Sequence, residues 1–261
     1  MARAKWIGGF LGLLSGGPIG ALAGFVLGAM FDTINEDGLS TTEGVYASEP
    51  QQRVEEGTRN GFLFSLLTLA SYIIKADGRI MHSEMEAMRQ FLRTNFGDVA
   101  VSEGEQVMRR LFEQQKKMDA ERPGSYEQTI LACCHQLRAI LNEPQRLQLL
   151  SLLVALSKAD GHVATEEITA LRLISRELGL SEAELNSMLN LGSTTLKDAY
   201  AVLEIDETAT DDEVRAAYKR MVVKHHPDRV ASLGEDVRAA AEKKMREINE
   251  AKELIYKARG L

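Results

Sequence analysis

The sequence predicts an all-α protein in three helical parts: a glycine-zipper membrane helix, a helical bundle with an internal repeat, and a small helical unit at the carboxyl end. Three observations carry this. Helix-forming residues dominate and no run alternates apolar and polar residues as a half-buried strand would. A 20-residue stretch recurs without gaps in the middle of the chain. An uncharged, glycine-spaced run opens it.

That run, Trp6 to Phe31, holds no charged residue and is long enough to cross a bilayer as one helix. Gly8, Gly12, Gly16, Gly20, Gly24 and Gly28 fall every four residues. On a helix this draws a groove where a second helix can approach closely, so we expect an anchor (residues 1–31) that self-associates as a homodimer. A cleaved secretory leader fits less well, because the apolar run continues past Ala21-Leu22-Ala23. A re-entrant hairpin turning at Gly16-Gly17-Pro18 would have arms too short to span. The flanking charges disagree with the rest of the chain. Arg3 and Lys5 before the run, and Asp32, Glu36 and Asp37 after it, favour a cytoplasmic amino terminus with the remainder exported.

Residues 32–57 are acidic and lack apolar periodicity, as a tether would. Within residues 58–192, Ile73 to Leu92 aligns on Leu156 to Ser175, so that Lys75-Ala76-Asp77-Gly78 matches Lys158-Ala159-Asp160-Gly161 and Glu84 matches Glu167. Each copy predicts a helix, a glycine turn and a second helix starting at Ser83 or Thr165, giving two hairpins of a pseudo-symmetric bundle. The pattern resembles the TerB domain, named for tellurite resistance. That resemblance allows divalent-metal binding by Asp77, Glu84, Asp160 and Glu167. The loops lack the oxygen-rich series of an EF-hand, however, and a capping role for these residues is the better expectation, with no metal. His82 and His162 occupy unmatched positions and read as surface residues.

In residues 195–261, Thr210 followed by Asp211, Asp212 and Glu213 predicts a helix start. Val214, Ala217, Tyr218, Met221, Val222 and His225 form its inward stripe, and Arg215, Lys219, Arg220 and Lys224 fall on the outer surface. Pro227 should end the helix at or before His226. A last helix carries Val237, Ala241, Met245, Ile248, Ala251 and Ile255 at helical intervals. The order of short helix, basic helix, His226-Pro227-Asp228 and long helix resembles the J domain of the DnaJ co-chaperones. Departures are Glu204, where that family usually has glycine, and Met245 and Lys252, where aromatic residues are common. The whole layout is similar to the DjlA family of membrane-anchored DnaJ-like proteins.

The resemblance implies a co-chaperone that recruits a DnaK-type chaperone and stimulates its ATP hydrolysis. His226, Pro227 and Asp228 would act on the partner, and Arg215, Lys219, Arg220, Lys224 and Arg229 would orient it. Such a partner implies the bacterial inner membrane with both soluble domains in the cytoplasm. The alternative is a TerB-like membrane scaffold or divalent-metal sensor in envelope stress that uses the J-like unit only for recruitment.

A net charge of −7 argues against a nucleic-acid partner. Cys133 and Cys134 are the only cysteines and lie in an apolar run, as buried free thiols would. No phosphate loop, nucleophile elbow or catalytic cysteine–histidine pattern occurs, so neither enzyme activity nor a cofactor is expected.

Overall fold

The computed structural model describes residues 17–24, 50–76, 82–159 and 163–261, and no strand occurs among them. The helices are α1 (residues 17–24), α2 (Pro50–Ile74), α3 (His82–Phe96), α4 (Asp98–Glu121), α5 (Ser125–Ile140), α6 (Glu143–Ser157), α7 (Thr165–Glu177) and α8 (Glu182–Asn190). The carboxyl unit adds α9 (Leu196–Val202), α10 (Asp211–Lys224), a 3-10 turn (Pro227–Leu233) and α11 (Glu235–Arg259). The all-α expectation holds throughout the described residues.

Helix α2 is the pillar of the bundle. From Asn60 to Ser71 every residue is buried, so it has no solvent face, and α4, α5, α6, α7 and the 3-10 turn pack around it. A helix surrounded on all sides is apolar all round rather than striped. Ser65 donates to the Gly61 carbonyl at 2.8 Å and Ser71 shares a 2.7 Å hydrogen bond with the buried Tyr126 hydroxyl, while the Thr68 Oγ1 is buried without a partner among the described residues. The helix begins at Pro50, inside the stretch expected to be a loose tether. Proline is favoured in a first helical turn because its missing N–H would have no partner there. Close packing shows at Gly104 of α4, where a Cβ would come within 2.5 Å of Leu92.

Turn chemistry sets the remaining boundaries. Asn142 and Gln145 cap α6 reciprocally, each side chain accepting the other's backbone N–H at 3.0 Å. Ser181 with Glu184, and Thr210 with Glu213, do the same for α8 and α10. Cys133 and Cys134 are fully buried and unpaired, and desolvation pushes the Cys133 thiol up to about 12, so both are inert.

The amino-terminal run departs from a single continuous helix. Gly17 has φ +71 and Pro18 follows it, so α1 starts at that break. A left-handed glycine and a residue without an N–H interrupt the helical ladder on either count. Ile19, Leu22 and Ala23 are buried against the bundle core, and the Ile19 N–H donates to Gln136 Oε1 at 3.0 Å. Gly24 has open space beside it, while Gly8, Gly12, Gly16 and Gly28 lie outside the described residues. No helix among the described residues is long and apolar enough to cross a membrane.

The carboxyl unit has its own small core, in which Val202, Val214, Ala217, Met221, Ile248 and Ile255 meet. Its other end is rooted in the bundle: Val230, Leu233, Val237 and Ala241 belong to the bundle core. Ser187 donates to the Val202 carbonyl at 2.7 Å, and Arg59 pairs with Asp236 across the same boundary. The core face of α11 differs by one position from expectation. Met245 is only half-buried, and Lys244 takes the inward place at 4% exposure.

Burial holds the Lys244 ammonium down to about 7, against ~10.4 in an unfolded chain. Glu247 opposes that fall and Lys224 adds to it. Below pH ~7 both states carry the charge and the folded state bears the whole burial penalty. Between ~7 and ~10 the unfolded chain binds the extra proton, so the stability contribution rises with pH across that window. Lys244→Met should therefore stabilise the fold by at least about 1 kcal/mol at and below neutral pH. The gain over the parent should shrink towards pH ~10. Unfolding of both proteins across a pH series checks this, and a gap independent of pH would contradict it.

Candidate functional site: the turn after the basic helix

Helix α10 ends where proline requires. Its last residue is Lys224, and His225 caps it by donating its N–H to the Met221 carbonyl at 2.9 Å. His226 is extended (φ −61, ψ 130), the backbone forced on a residue before proline, and it caps the 3-10 turn that Pro227 opens. The Asp228 N–H donates to His226 Nδ1 at 3.3 Å, and the Arg229 N–H to the His226 carbonyl at 3.0 Å. His226 Nδ1 and the Asp228 carboxylate stand 3.6 Å apart. The side chains of His226 and Asp228 are 50% and 74% exposed, so a rigid turn presents a histidine and a carboxylate to solvent.

The anchor of this turn explains its rigidity. Val230 and Leu233, just past Asp228, are buried in the bundle core, and Arg229 donates back to the Val223 carbonyl at 3.3 Å. On the other side, Arg259 near the end of α11 reaches the Tyr200 hydroxyl and the Ala209 carbonyl, each at 2.6 Å, and Asp211 at 3.0 Å. That fixes the start of α10. Tyr218 donates to Asn249 at 2.9 Å midway along it.

The expected basic face divides in two. Arg215, Lys219, Arg220 and Arg229 are exposed, Arg215 being paired only with Asp212 one turn away at 2.9 Å. Lys224 does not belong to that face. It is half-buried and lies 2.6 Å from Glu184 of α8 and 3.2 Å from Glu204. Burial alone would lower its pKa, but the Glu184 and Glu204 carboxylates outweigh it and hold the ammonium above its ordinary range. Burial likewise works against the Glu184 charge, and Lys224 and Ser181 overcome it, keeping that carboxyl below its usual range. Lys224 thus ties the basic helix to the bundle.

The residues noted as departures fit this picture. Glu204 has φ +57, the left-handed backbone that suits glycine, and it is held there with its carboxylate on Lys224. Lys252 stacks over the rings of Tyr218 and Tyr256 at 5.2 and 5.0 Å, filling an aromatic site with a cation. One surface feature escaped sequence reasoning. Val223 is 64% exposed beside the turn, one of few large apolar side chains left in solvent.

The repeat in the bundle forms no comparable site. Glu84 and Glu167 border one small cavity of about 10 Å³, together with Ile73 and Leu156 from the preceding helices of each copy. The Ala164 N–H donates to Glu167 at 2.9 Å, the capping role expected of it. Asp77, Asp160 and His162 lie outside the described residues, and His82 is exposed. No cluster of three or more metal-ligating side chains occurs among the described residues.

Comparison with known proteins follows the same division. Residues 1–51 match the family model of the co-chaperone DjlA transmembrane domain, residues 64–190 that of tellurite resistance protein TerB, and residues 198–259 that of the DnaJ domain. The co-chaperone protein DjlA of Legionella pneumophila is 25% identical over 98% of this chain and 95% of its own length. That of Coxiella burnetii is 27% identical over 98% of this chain and 99% of its own. Human DnaJ homolog subfamily C member 7 is 38% identical over 66 residues, 25% of this chain and 13% of its own length. No solved structure matches the chain. The chain thus carries, in this order, matches to the DjlA transmembrane domain, the TerB domain and the DnaJ domain, and it is similar along nearly its whole length to the membrane-anchored DjlA co-chaperones.

Proposed function

We propose that this chain is a membrane-anchored co-chaperone that binds a DnaK-type chaperone through α10 and stimulates its ATP hydrolysis through His226, Pro227 and Asp228. The observation that carries the proposal is the exposed, rigid His226–Asp228 turn at the end of a basic helix, inside a region that matches the DnaJ domain. The chain itself supplies no catalytic group; it acts on the chemistry of its partner. Stimulation requires that the J domain favour the partner's hydrolysis-competent state over its resting state, since equal affinity for both would shift nothing.

The division of the basic residues assigns their parts. Arg215, Lys219, Arg220 and Arg229 steer and orient an acidic face of the partner, with a salt-sensitive association rate. Lys224 holds the helix in place from behind. Val223 supplies an apolar contact at the centre of this charged patch, the arrangement in which a desolvated contact is ringed by polar ones.

An ATP-dependent chaperone partner places the TerB and J domains in the cytoplasm, at the bacterial inner membrane. The break at Gly17-Pro18 supports an anchor that is not one straight helix, which relaxes the conflict posed by Arg3 and Lys5. Ile19, Leu22 and Ala23 offer a face that either the bundle or a bilayer can cover, so the two seats are alternatives for one segment. Self-association through Gly8, Gly12, Gly16, Gly20, Gly24 and Gly28 rests on their spacing alone.

The test is steady-state ATP turnover by a bacterial DnaK in the presence of the full chain in detergent or lipid discs. Stimulation should disappear in His226→Gln while helical content and melting temperature stay as in the parent; full stimulation by that variant would refute the mechanism. Val223→Asp should raise the concentration needed for half-maximal stimulation about tenfold, leaving the maximum nearly unchanged. An unaltered titration would remove Val223 from the interface.

A further inference from the structure

Between the bundle and the J domain lies a cleft of about 360 Å³, at the lower end of the ~300–1,000 Å³ typical of small-molecule sites. It is bordered by α3, by α6 and its carboxyl end, by α8 and by α11, so it belongs to neither domain alone. Lys158, Lys243 and Lys244 line it, with Gln148, Asn95 and Glu247.

Two of these groups are nearly buried and make no hydrogen bond with the described residues. Lys244 is only 4% exposed, yet its ammonium makes no hydrogen bond or ion pair among the described residues. Gln148 is 2% exposed and its side-chain oxygen is also unpartnered. A buried charge without a partner is costly. Lys158 spends two donors on the Leu189 and Leu191 carbonyls at 3.1 and 2.7 Å and keeps a third. Lys243 stands exposed at the rim. Glu247 is the only carboxylate lining the cleft among the described residues, and burial raises its pKa even with Lys243 and Lys158 opposing. Lys224 and His225 lie close enough to Lys244 to influence it, and Lys224 is already neutralised by Glu184 and Glu204.

We propose that this interdomain cleft binds a small phosphate-bearing dianion, held by the ammonium groups of Lys158, Lys243 and Lys244. With Lys244 protonated, the described lining carries more ammonium than carboxylate charge, an excess that a dianion offsets better than a monocarboxylate. Phosphate oxygens also accept several charge-assisted hydrogen bonds at once, matching the free donors of Lys244. Because the ligand touches helices of both domains, its binding fastens the J domain to the bundle. Lys244 lies beside His225, one residue before the exposed turn, so this site adjoins the partner-binding surface without sharing its residues.

Inorganic phosphate is the probe, titrated calorimetrically into the full chain in detergent with acetate and chloride controls at equal ionic strength. No chaperone is present, so the result is independent of the co-chaperone assignment. One saturable site per chain below about 1 mM is expected for phosphate and not for acetate. Lys244→Met should weaken it at least about tenfold, and the exposed Lys116→Met should leave it unchanged. Amine-reactive labelling read by mass spectrometry gives a measurement on the unaltered protein: phosphate should protect Lys243 and leave Lys116 reactive. Absence of saturation, equal affinity in Lys244→Met, equal loss in Lys116→Met, or no protection of Lys243 would each overturn the proposal.

Discussion

The continuity of the bundle core into the segment after the turn governs how this protein presents the His226–Asp228 turn. Val230, Leu233, Val237 and Ala241 are buried with the bundle's leucines rather than with the J domain's own core. A turn whose downstream flank is fixed in one core and whose upstream flank ends a helix of another has little freedom. His226 and Asp228 are therefore displayed to solvent by a scaffold that extends well beyond the J domain. Burial of apolar area supplies the binding, and a few polar contacts set the register: Lys224 with Glu184, Ser187 with Val202, and Arg59 with Asp236.

The pillar α2 makes this possible. It touches four bundle helices and the 3-10 turn, so the bundle's central helix and the segment carrying Asp228 are in direct contact. Substitutions deep in α2 should consequently be felt at the turn, through packing rather than charge. The TerB domain is then more than a spacer between membrane and J domain: it is the surface on which the J domain's orientation is set.

Much of the carboxyl unit was legible from local chemistry. Thr210 and Glu213 announce the start of α10, Pro227 its end, and Val214, Ala217 and Met221 its inner face, because capping and periodicity depend only on near neighbours. What sequence could not show depends on distant partners. Lys224 reads as one more surface cation until folding brings Glu184 beside it, and Lys244 reads as a break in an apolar stripe when it is a buried part of it. Counting apolar residues shifts the expected core to Met245 for that reason. Val223 was missed because an exposed valine leaves no periodic trace. In the bundle, the repeat was visible from Lys75-Ala76-Asp77-Gly78 and Lys158-Ala159-Asp160-Gly161, but the start of α2 at Pro50 was hidden by a polar first turn.

The central claim is that the J domain works while seated on the bundle. Cysteines placed at Arg59 and Asp236, whose side chains pair across the boundary, would allow a short, cleavable cross-link to hold the two domains together. Cys133 and Cys134 are buried and would not compete for the reagent. Stimulation of DnaK ATP turnover by the cross-linked full chain should equal that of the same protein after cleavage. Loss of stimulation on cross-linking, restored by cleavage, would contradict the account and show that the J domain must leave the bundle to act.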